Sequence, residues 1–406
     1  APGEENFLSF ERFPQLALVK TYNTNAQVPD SAGTATAMNS GVKTRMGAIN
    51  VGPDAAIGDC ATGLAHPLTP FATRAKAAGK AVGIVTTTRI THATPAAVFA
   101  TSPDRDWESD GTIPAGERGK GCTDIAAQLT AFPFDVALGG GAREFYGRDG
   151  GGKRLDPAAR LPENWAARTG GRYVTDRAAM AAAAAAAGGD TPLLGLFNRD
   201  HLTYMLDRKA DSAEPTLSEM TVAAIRRLKR DPDGFYLMVE GGRIDHAHHE
   251  GRAGYALAET QELLRAVAAA LSEIDPATTL VLVTADHSHV LTIAGYPRRG
   301  NPILGLVESV DDRGEPTGKP VLAGDRQAYT TLGYANGPGA VSALPRPAPV
   351  TGPDAVQQAL VPSGAETHAG EDVALYATGP GAAAVHGVIE QNGIYDIMAQ
   401  ALAPAR

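Results

Sequence analysis

The chain has 406 residues, a formal net charge of −9 at pH 7 and 43% hydrophobic residues. This length is enough to bury a large core, and single α/β enzyme domains of this size are common. The negative charge offers no basic stripe of the kind that phosphate backbones attract, so a nucleic-acid partner is not expected. No run of about 18 apolar residues is present to predict a membrane span, and the start APGEENFLSFERF lacks the regions of a signal peptide.

The earliest segment with a functional pattern is VPDSAGTATAMNSGVK, where Pro-Asp-Ser opens a run of small residues compatible with a helix. Ser31 then stands at a helix N-terminus, where backbone amides and the helix dipole favour an anion. On this segment alone, a plain N-cap serine is the favoured alternative. No nucleophile elbow accompanies Ser31, so a metal would have to activate its hydroxyl.

The first predicted strand, AVGIVTTT at residues 81–88, follows a helical pattern at residues 68–80. It precedes a polar turn that holds His92 and Thr94, and Arg105 lies in the polar loop beyond. A functional Arg105 would present a planar guanidinium that matches two phosphate oxygens, and the alternative is a solvated surface charge.

A second buried strand is predicted at residues 136–141, and an alanine tract at residues 178–187 predicts an exposed helix. The third predicted strand, residues 234–242, follows a helical pattern at residues 217–231. It runs into a dense set of metal-ligand side chains: Glu240, Asp245, His246, His248 and His249. Asp245 and His249 are four residues apart, a spacing that places both on one helix face, although a histidine-rich surface turn remains an alternative.

The fourth predicted strand, residues 279–287, follows a helical pattern at residues 253–275 and ends in Asp286 and His287. An apolar run that leads into Asp-His is poor core material unless the charge is paired or bound to metal, so a metal site is the better interpretation. Mixed Asp/His sets favour zinc, whereas a carboxylate with a hydroxyl, such as Glu240 with Thr94, favours magnesium. A lone His368 beside a later strand-like run would more often be a buried, hydrogen-bonded histidine.

This alternation of strands and helices predicts an α/β fold with a mostly parallel central sheet and helices on both faces. Ligands gather beyond the carboxyl ends of the strands in such sheets, and three predicted strand ends carry the polar residues described above. Residues 291–362 are rich in Gly and Pro without strong periodicity, which predicts a loop-rich insertion in one domain of residues 1–406. Two metals about 4 Å apart would form the usual clamp for displacement at phosphorus.

Together, these segments resemble the alkaline phosphatase family, especially its animal-type branch. The resemblance covers nearly the whole chain through seven motifs in order: VPDSAGTATAMNSGVKT, VTTTRITHATPAA, GCTDIAAQL, VEGGRIDHAHHE, TADHSH, NGPG and ETHAGEDVA. It implies hydrolysis of phosphate monoesters at alkaline pH through a phosphoserine intermediate, with inorganic phosphate as product. It also implies a homodimer, with the insertion at residues 291–362 similar to the family's crown region near the dimer interface.

The resemblance further implies a role for each site residue. Ser31 is similar to the serine that accepts the phosphoryl group, and Arg105 to the arginine that holds its oxygens. Two zinc ions and one magnesium ion are implied, with His92 beside the magnesium. Their matching ligands are Asp245, His249 and His368 for the first zinc, Asp286 and His287 for the second zinc, and Glu240 and Thr94 for magnesium.

The two cysteines, Cys60 and Cys122, are too few for a disulfide framework, and spacing alone leaves a bridge and two buried thiols equally open. They match a bridged pair of the animal-type branch. The resemblance therefore implies a disulfide and an oxidising compartment, so a periplasmic or extracellular location is expected.

The sequence departs from the family pattern in two places. Asn198 stands where the animal-type branch has a calcium-binding glutamate, which puts a fourth metal in doubt. In the family, a strand that ends in Gly-Asp-Gly precedes the segment RFPQLALVKTYN, and its aspartate bridges the second zinc and the magnesium. The sequence begins after that strand, so the alternative expectation is an inactive or weakly active fragment that only binds metal or phosphate.

Overall fold

A computed structural model describes residues 3–186, 191–343 and 345–402 of the chain. Its helices are α1 Ser31–Ser40, α2 Cys60–Ala65, α3 Phe71–Ala77, α4 Ala93–Ala96, α5 Ile125–Ala131, α6 Leu161–Thr169, α7 Arg177–Ala185, α8 Leu217–Leu228, α9 Arg243–His249, α10 Ala253–Glu273 and α11 Gly393–Leu402. Its strands are β1 Gln15–Lys20, β2 Ala81–Arg89, β3 Val136–Gly140, β4 Arg172–Val174, β5 Leu193–Leu196, β6 Phe235–Glu240, β7 Val281–Thr284, β8 Ser288–His289, β9 Leu291–Ile293, β10 Glu308–Val310, β11 Pro316–Pro320, β12 Leu332–Gly337, β13 Ala359–Pro362, β14 His368–Ala369, β15 Val373–Thr378 and β16 His386–Glu390.

Five strands form a parallel sheet in the order β4-β5-β3-β2-β6. The side chains of β2 alternate between two cores: Val82 and Ile84 pack with α3 on one face, and Val85 packs with α8 on the other. Full burial of an aliphatic side chain stabilises the fold by about 1.5–3 kcal/mol, which explains why a strand buried on both faces is apolar along most of its length. The predicted parallel sheet with helices on both faces is confirmed.

A second sheet has the order β16-β1-β15-β7 and is mixed. β1 runs parallel to β16 and antiparallel to β15, which in turn runs antiparallel to β7. Val19 and Leu375 face a core completed by Ile394 and Ile397 of α11. Within the described ranges, β6 pairs only with β2 and β7 pairs only with β15, and every residue of β6 and β7 is partly exposed.

Two sequence expectations are refined by the structure. The alanine tract forms α7, but Met180, Ala183 and Ala184 are buried against the parallel sheet, so the helix is not simply exposed. Ala187, the end of that tract, lies outside the described residues. The segment at residues 291–362 contains short strands, with β9, β12 and β13 in one sheet and β10 and β11 in another.

Cys60 and Cys122 form a disulfide, which confirms the bridge that the resemblance implied. Cys60 is fully buried and packs with Trp107 and Ile113. The bridge therefore joins the start of α2 to the segment that leads into α5. No helix in the described part of the chain has the length and apolar character needed to cross a membrane.

Candidate metal and phosphate site

The expected site residues meet where several strands end, although these strands belong to different sheets: β6 ends the parallel sheet, whereas β7 lies in the mixed sheet and pairs antiparallel with β15. Glu240 is the last residue of β6, and Asp286 follows β7 within two residues. Asp245 and His249 lie on α9, directly after β6. His368 opens β14, which pairs antiparallel with β8.

Ser31 is the first residue of α1 and is only 7% exposed. Its Oγ lies 3.1 Å from His287 Nε2. The N-cap is Asp30, whose Oδ1 accepts the amide of Gly33 at 3.0 Å, so the alternative in which Ser31 is a plain N-cap is wrong. Because the cap is supplied by its neighbour, the Ser31 hydroxyl is directed at the histidine rather than at its own helix.

Arg105 reaches the same end of α1. Its Nη1 donates to Asp30 Oδ2 at 2.9 Å, and its Nη2 lies 3.3 Å from His92 Nε2. Burial of Asp30 favours its neutral form, but Arg105 and the backbone amide of Gly33 outweigh that effect and lower the pKa of Asp30. Arg105 is thus held by an ion pair next to Ser31.

Three histidines surround one oxygen of Asp245. The distances from Asp245 Oδ1 are 3.0 Å to His289 Nε2, 3.1 Å to His368 Nε2 and 3.3 Å to His249 Nε2. Although these are ion-pair distances, none of the three nitrogens is oriented as a hydrogen-bond donor to Oδ1. The oxygen is therefore buried among nitrogens without a conventional hydrogen bond.

The other ring nitrogen of each histidine separates two kinds of imidazole. His249 Nδ1 and His368 Nδ1 each lie 2.7 Å from a backbone carbonyl oxygen, of Glu366 and Pro29 respectively. A carbonyl only accepts, so we infer that Nδ1 carries a proton, which leaves Nε2 of each ring as the nitrogen available to a cation. The two Nε2 atoms nevertheless face each other at 3.1 Å. Two lone pairs and one carboxylate oxygen directed at the same point form a ligand set that fits a cation.

His289 behaves differently because it lies between two carboxylates. Its Nδ1 is 2.8 Å from Glu366 Oε2, and its Nε2 is the nitrogen nearest to Asp245 Oδ1. Burial disfavours the charged ring, but Asp245 and Glu366 together raise the pKa of His289 to about 9. His289 therefore lies between Asp245 and Glu366 and links the two carboxylates.

Asp286 and His287 form a second group next to this one. Asp286 Oδ2 accepts the Thr34 hydroxyl at 3.1 Å and lies 3.3 Å from His287 Nε2. The rings of His287 and His368 stack with their centroids 3.6 Å apart. This group is therefore shared between the N-terminal turn of α1 and the Asp245 cluster, and it includes the hydroxyl of Ser31.

Glu240 forms a third group with hydroxyl side chains. Its Oε2 accepts Thr88 Oγ1 at 3.2 Å and also the hydroxyl of Thr86, and Thr94 hydrogen-bonds to the same carboxylate. Burial raises the pKa of Glu240 to about 7, although these hydroxyls oppose the shift. His92, two residues before Thr94, has a buried Nδ1 without a partner in the described part of the chain. A partly buried carboxylate with hydroxyl neighbours fits a hard cation such as magnesium.

Two histidines of the dense segment after β6 do not join these sets. His246 Nδ1 lies 2.9 Å from Arg243 Nη1, and His248 Nδ1 lies 2.8 Å from the Tyr334 hydroxyl. Sequence reasoning missed Asp30 and Glu366 as supporting residues. Asp30 was readable as the acidic residue before a predicted helix. Glu366 contacts its partners across 76 residues or more, and no local pattern indicates such a pairing.

Nearly the whole chain is similar in sequence to known proteins. The family model described as alkaline phosphatase matches residues 1–403. The chain is 45% identical to the tissue-nonspecific alkaline phosphatase of Gallus gallus, over 98% of this chain and 78% of that protein. It is 42% identical to the alkaline phosphatase of Gadus morhua, over 98% of this chain and 85% of that protein.

Solved structures of similar proteins share the fold. The alkaline phosphatase of Thermus thermophilus is 25% identical, with a TM-score of 0.68 and coverage of 99% of this chain and 86% of that chain. A mutant of the alkaline phosphatase from the Antarctic bacterium TAB5, solved with magnesium bound, is 21% identical with a TM-score of 0.66. The match covers 98% of this chain and 91% of the TAB5 chain.

Proposed function

Because the chain belongs to the alkaline phosphatase family, we propose that it hydrolyses phosphate monoesters through a phosphoserine formed on Ser31. The observation that carries this assignment is the Ser31 hydroxyl, which lies 3.1 Å from His287 Nε2 at the end of α1 that Arg105 also reaches. Phosphoserine catalysis is general to the family. Membership does not favour the alternative of a fragment that only binds metal or phosphate.

Different residues carry out phosphate binding and nucleophilic attack. Arg105 and the positive N-terminal end of α1 bind and orient the phosphoryl oxygens. Ser31 Oγ then attacks phosphorus while the bond from phosphorus to the ester oxygen breaks, and the alcohol leaves. In the second half, water attacks the phosphoserine, the bond between phosphorus and Ser31 Oγ breaks, and inorganic phosphate is released.

The enzyme depends on metal ions, and we propose two zinc ions and one magnesium ion. Bound metal ions lower the pKa of the nucleophile and neutralise charge on the leaving oxygen. Asp245, His249 and His368 would hold the first zinc, supported by the two facing Nε2 lone pairs. Asp286 and His287 would hold the second zinc, next to Ser31. Glu240 and Thr94 would hold magnesium, with His92 alongside.

Substrate recognition follows from which atoms these residues reach. Ser31 and Arg105 both act on the phosphoryl group, and neither addresses the alcohol part of the ester. We therefore propose broad specificity for phosphate monoesters, with inorganic phosphate as a competitive inhibitor.

We also propose a homodimer in a periplasmic or extracellular location. The disulfide supports an oxidising compartment. Residues 291–362 would be the crown-like insertion within a single domain. Exposed apolar side chains occur there: Ile293 of β9 is 68% exposed, Leu360 of β13 is 81% exposed, and Tyr296, shortly after β9, is 92% exposed. Exposed apolar side chains of this kind fit a second copy of the chain. Light scattering should give twice the monomer mass, and Leu360→Ser should reduce it, whereas a monomer at all concentrations would contradict the proposal.

The phosphoserine assignment is tested by trapping. The zinc- and magnesium-loaded protein is incubated with labelled inorganic phosphate and quenched in acid, and the label on protein is counted. Ser31→Ala should carry no label, whereas the control Ser40→Ala, at the other end of α1, should carry as much as the unchanged protein. Label on Ser31→Ala would remove Ser31 from the mechanism.

A further inference from the structure

The loop that carries Arg105 also carries a buried carboxylate. Glu108, three residues after Arg105, is 6% exposed. Its carboxylate accepts Arg89 Nε at 2.8 Å and Arg89 Nη2 at 2.6 Å, together with the hydroxyl of Thr91. Arg89 is the last residue of β2, and Thr91 lies in the turn that leads to His92. Glu108 therefore fastens the Arg105 loop to the carboxyl end of β2.

The arginine on the other side of this contact is itself held in place. Arg89 Nη1 donates to Asp200 Oδ1 at 2.8 Å. Burial works against the charged form of Arg89, but the bonds to Glu108 and Asp200 outweigh it and raise the pKa of Arg89. A guanidinium with both carboxylates in place has little freedom to rotate, so it is a rigid anchor for the loop.

The backbone of the loop is fixed next to Glu108 as well. The carbonyl of Trp107 accepts the amide of Ile125 at 2.9 Å, and the carbonyl of Glu108 accepts the amide of Ala126 at 3.0 Å. At the other side of Arg105, the Arg105 amide donates to Gly47 O at 2.8 Å. The Arg105 side chain is still 24% exposed, so the position of its guanidinium depends on how firmly this loop is held as well as on the ion pair with Asp30.

We propose that Glu108 is a positioning residue for Arg105: its bidentate bond to Arg89 sets the place and angle at which the Arg105 guanidinium meets the phosphoryl group. The inference rests on the proposed role of Arg105 in binding phosphate. Glu108 is distinct from the proposed nucleophile, the proposed phosphate-holding arginine and the proposed metal ligands.

The test compares inhibition constants for inorganic phosphate, measured against hydrolysis of an aryl phosphate by the full chain loaded with zinc and magnesium. Glu108→Gln keeps the shape of the side chain but offers one acceptor oxygen to the two donor groups of Arg89. We expect the inhibition constant to rise on the order of tenfold, comparable to one lost hydrogen bond to a charged group. Glu108→Asp, which keeps the charge but is shorter, should show a smaller rise and keeps the inference testable if Glu108→Gln does not fold.

The matched control is Glu273→Gln. Glu273 accepts Arg226 Nε at 2.9 Å and Arg226 Nη2 at 2.6 Å, with a further donor from Lys229, so it has a similar set of partners. It joins α8 to the end of α10, away from the Arg105 loop. Glu273→Gln should leave the inhibition constant unchanged, whatever it does to the melting temperature. If Glu108→Gln lowers the melting temperature but also leaves the inhibition constant unchanged, Glu108 is only structural and the inference is overturned.

A double-mutant cycle separates this inference from the proposed function. Arg105→Ala alone should raise the inhibition constant for inorganic phosphate. Adding Glu108→Gln should then cause no further rise, because the residue that Glu108 positions is absent. Equal effects of Glu108→Gln with and without Arg105 would overturn the positioning role alone. If Arg105→Ala leaves the inhibition constant unchanged, the phosphate role of Arg105 fails and the inference fails with it.

Discussion

Arg105 has a side chain whose shape matters as much as its charge. In the proposed role it contacts Asp30 and a phosphoryl group at the same time. A planar fork with five donors can do this with parallel hydrogen bonds, whereas the compact ammonium group of lysine offers no such fork. We predict that Arg105→Lys lowers kcat/KM for an aryl phosphate by about ten- to a hundredfold, the cost of one charge-assisted bidentate contact of roughly 1.5–3 kcal/mol. A loss no greater than that of Arg118→Lys, at a nearby loop arginine, would contradict the prediction.

Among single residues, the sequence pointed to the candidate metal ligands but not to the groups that hydrogen-bond to them. Asp245 and His249 share a helix turn, so their spacing predicts a common face. The Nδ1 protons that would leave Nε2 of His249 and His368 free to bind a metal depend on the carbonyls of Glu366 and Pro29, which are far away in the chain. Only the folded chain brings these groups together, so the tautomers had no local signal.

Among the elements, the close approach of β3 to the loop after β5 restricts one residue. A Cβ on Gly140 would lie 2.1 Å from the carbonyl oxygen of Asp200, a backbone atom that cannot move by itself. We predict that Gly140→Ala lowers the free energy of unfolding by about 1–3 kcal/mol, as overpacking does elsewhere. Denaturant unfolding measures the change. Gly116→Ala, where a Cβ would meet nothing within 4 Å, is the control and should be close to neutral.

The disulfide between the start of α2 and the segment before α5 is the other element-scale constraint. It joins residues 62 positions apart, and closing a loop of that length stabilises a fold by about 4 kcal/mol in the chain-entropy model. We predict that the double variant Cys60→Ser, Cys122→Ser loses up to that amount and melts several degrees lower. Equal melting temperatures for this variant and the oxidised protein would show that the bridge does not contribute to stability.

Periodicity predicted β2, β3, β6 and β7 and the helices α3, α8 and α10, because strands and helices covered on known faces have apolar patterns of fixed period. It did not predict the pairing of β1 with β15 and β16. That pairing joins residues 15–20 to residues 373–378 and 386–390, and hydrogen bonds between distant segments leave no periodic signal in either one. The buried face of α7 was not predicted for a different reason. A polyalanine pattern has no apolar stripe to mark one face, yet its alanines are small enough to pack against the sheet.

Over the whole molecule, the metal sites couple function to stability. The site gathers carboxylates and imidazoles from α9, β14 and the segment after β7, and a cation bound among them stabilises only the folded chain. At a free zinc concentration of about 100 times Kd, each site contributes about 2.7 kcal/mol. We predict that chelation lowers the melting temperature and abolishes activity, and that zinc with magnesium restores both. Asp245→Asn should show a smaller calorimetric shift on chelation, and an equal shift would place the zinc elsewhere.

The measurement that tests the account most directly is a crystal structure with zinc, magnesium and inorganic phosphate, using anomalous diffraction at the zinc edge. We predict one zinc peak among Asp245, His249 and His368 and a second beside Asp286, His287 and Ser31 Oγ. Phosphate should lie between Ser31 and Arg105, with the Glu108–Arg89 contact intact. Zinc peaks away from these side chains, or phosphate bound out of reach of Ser31, would contradict it.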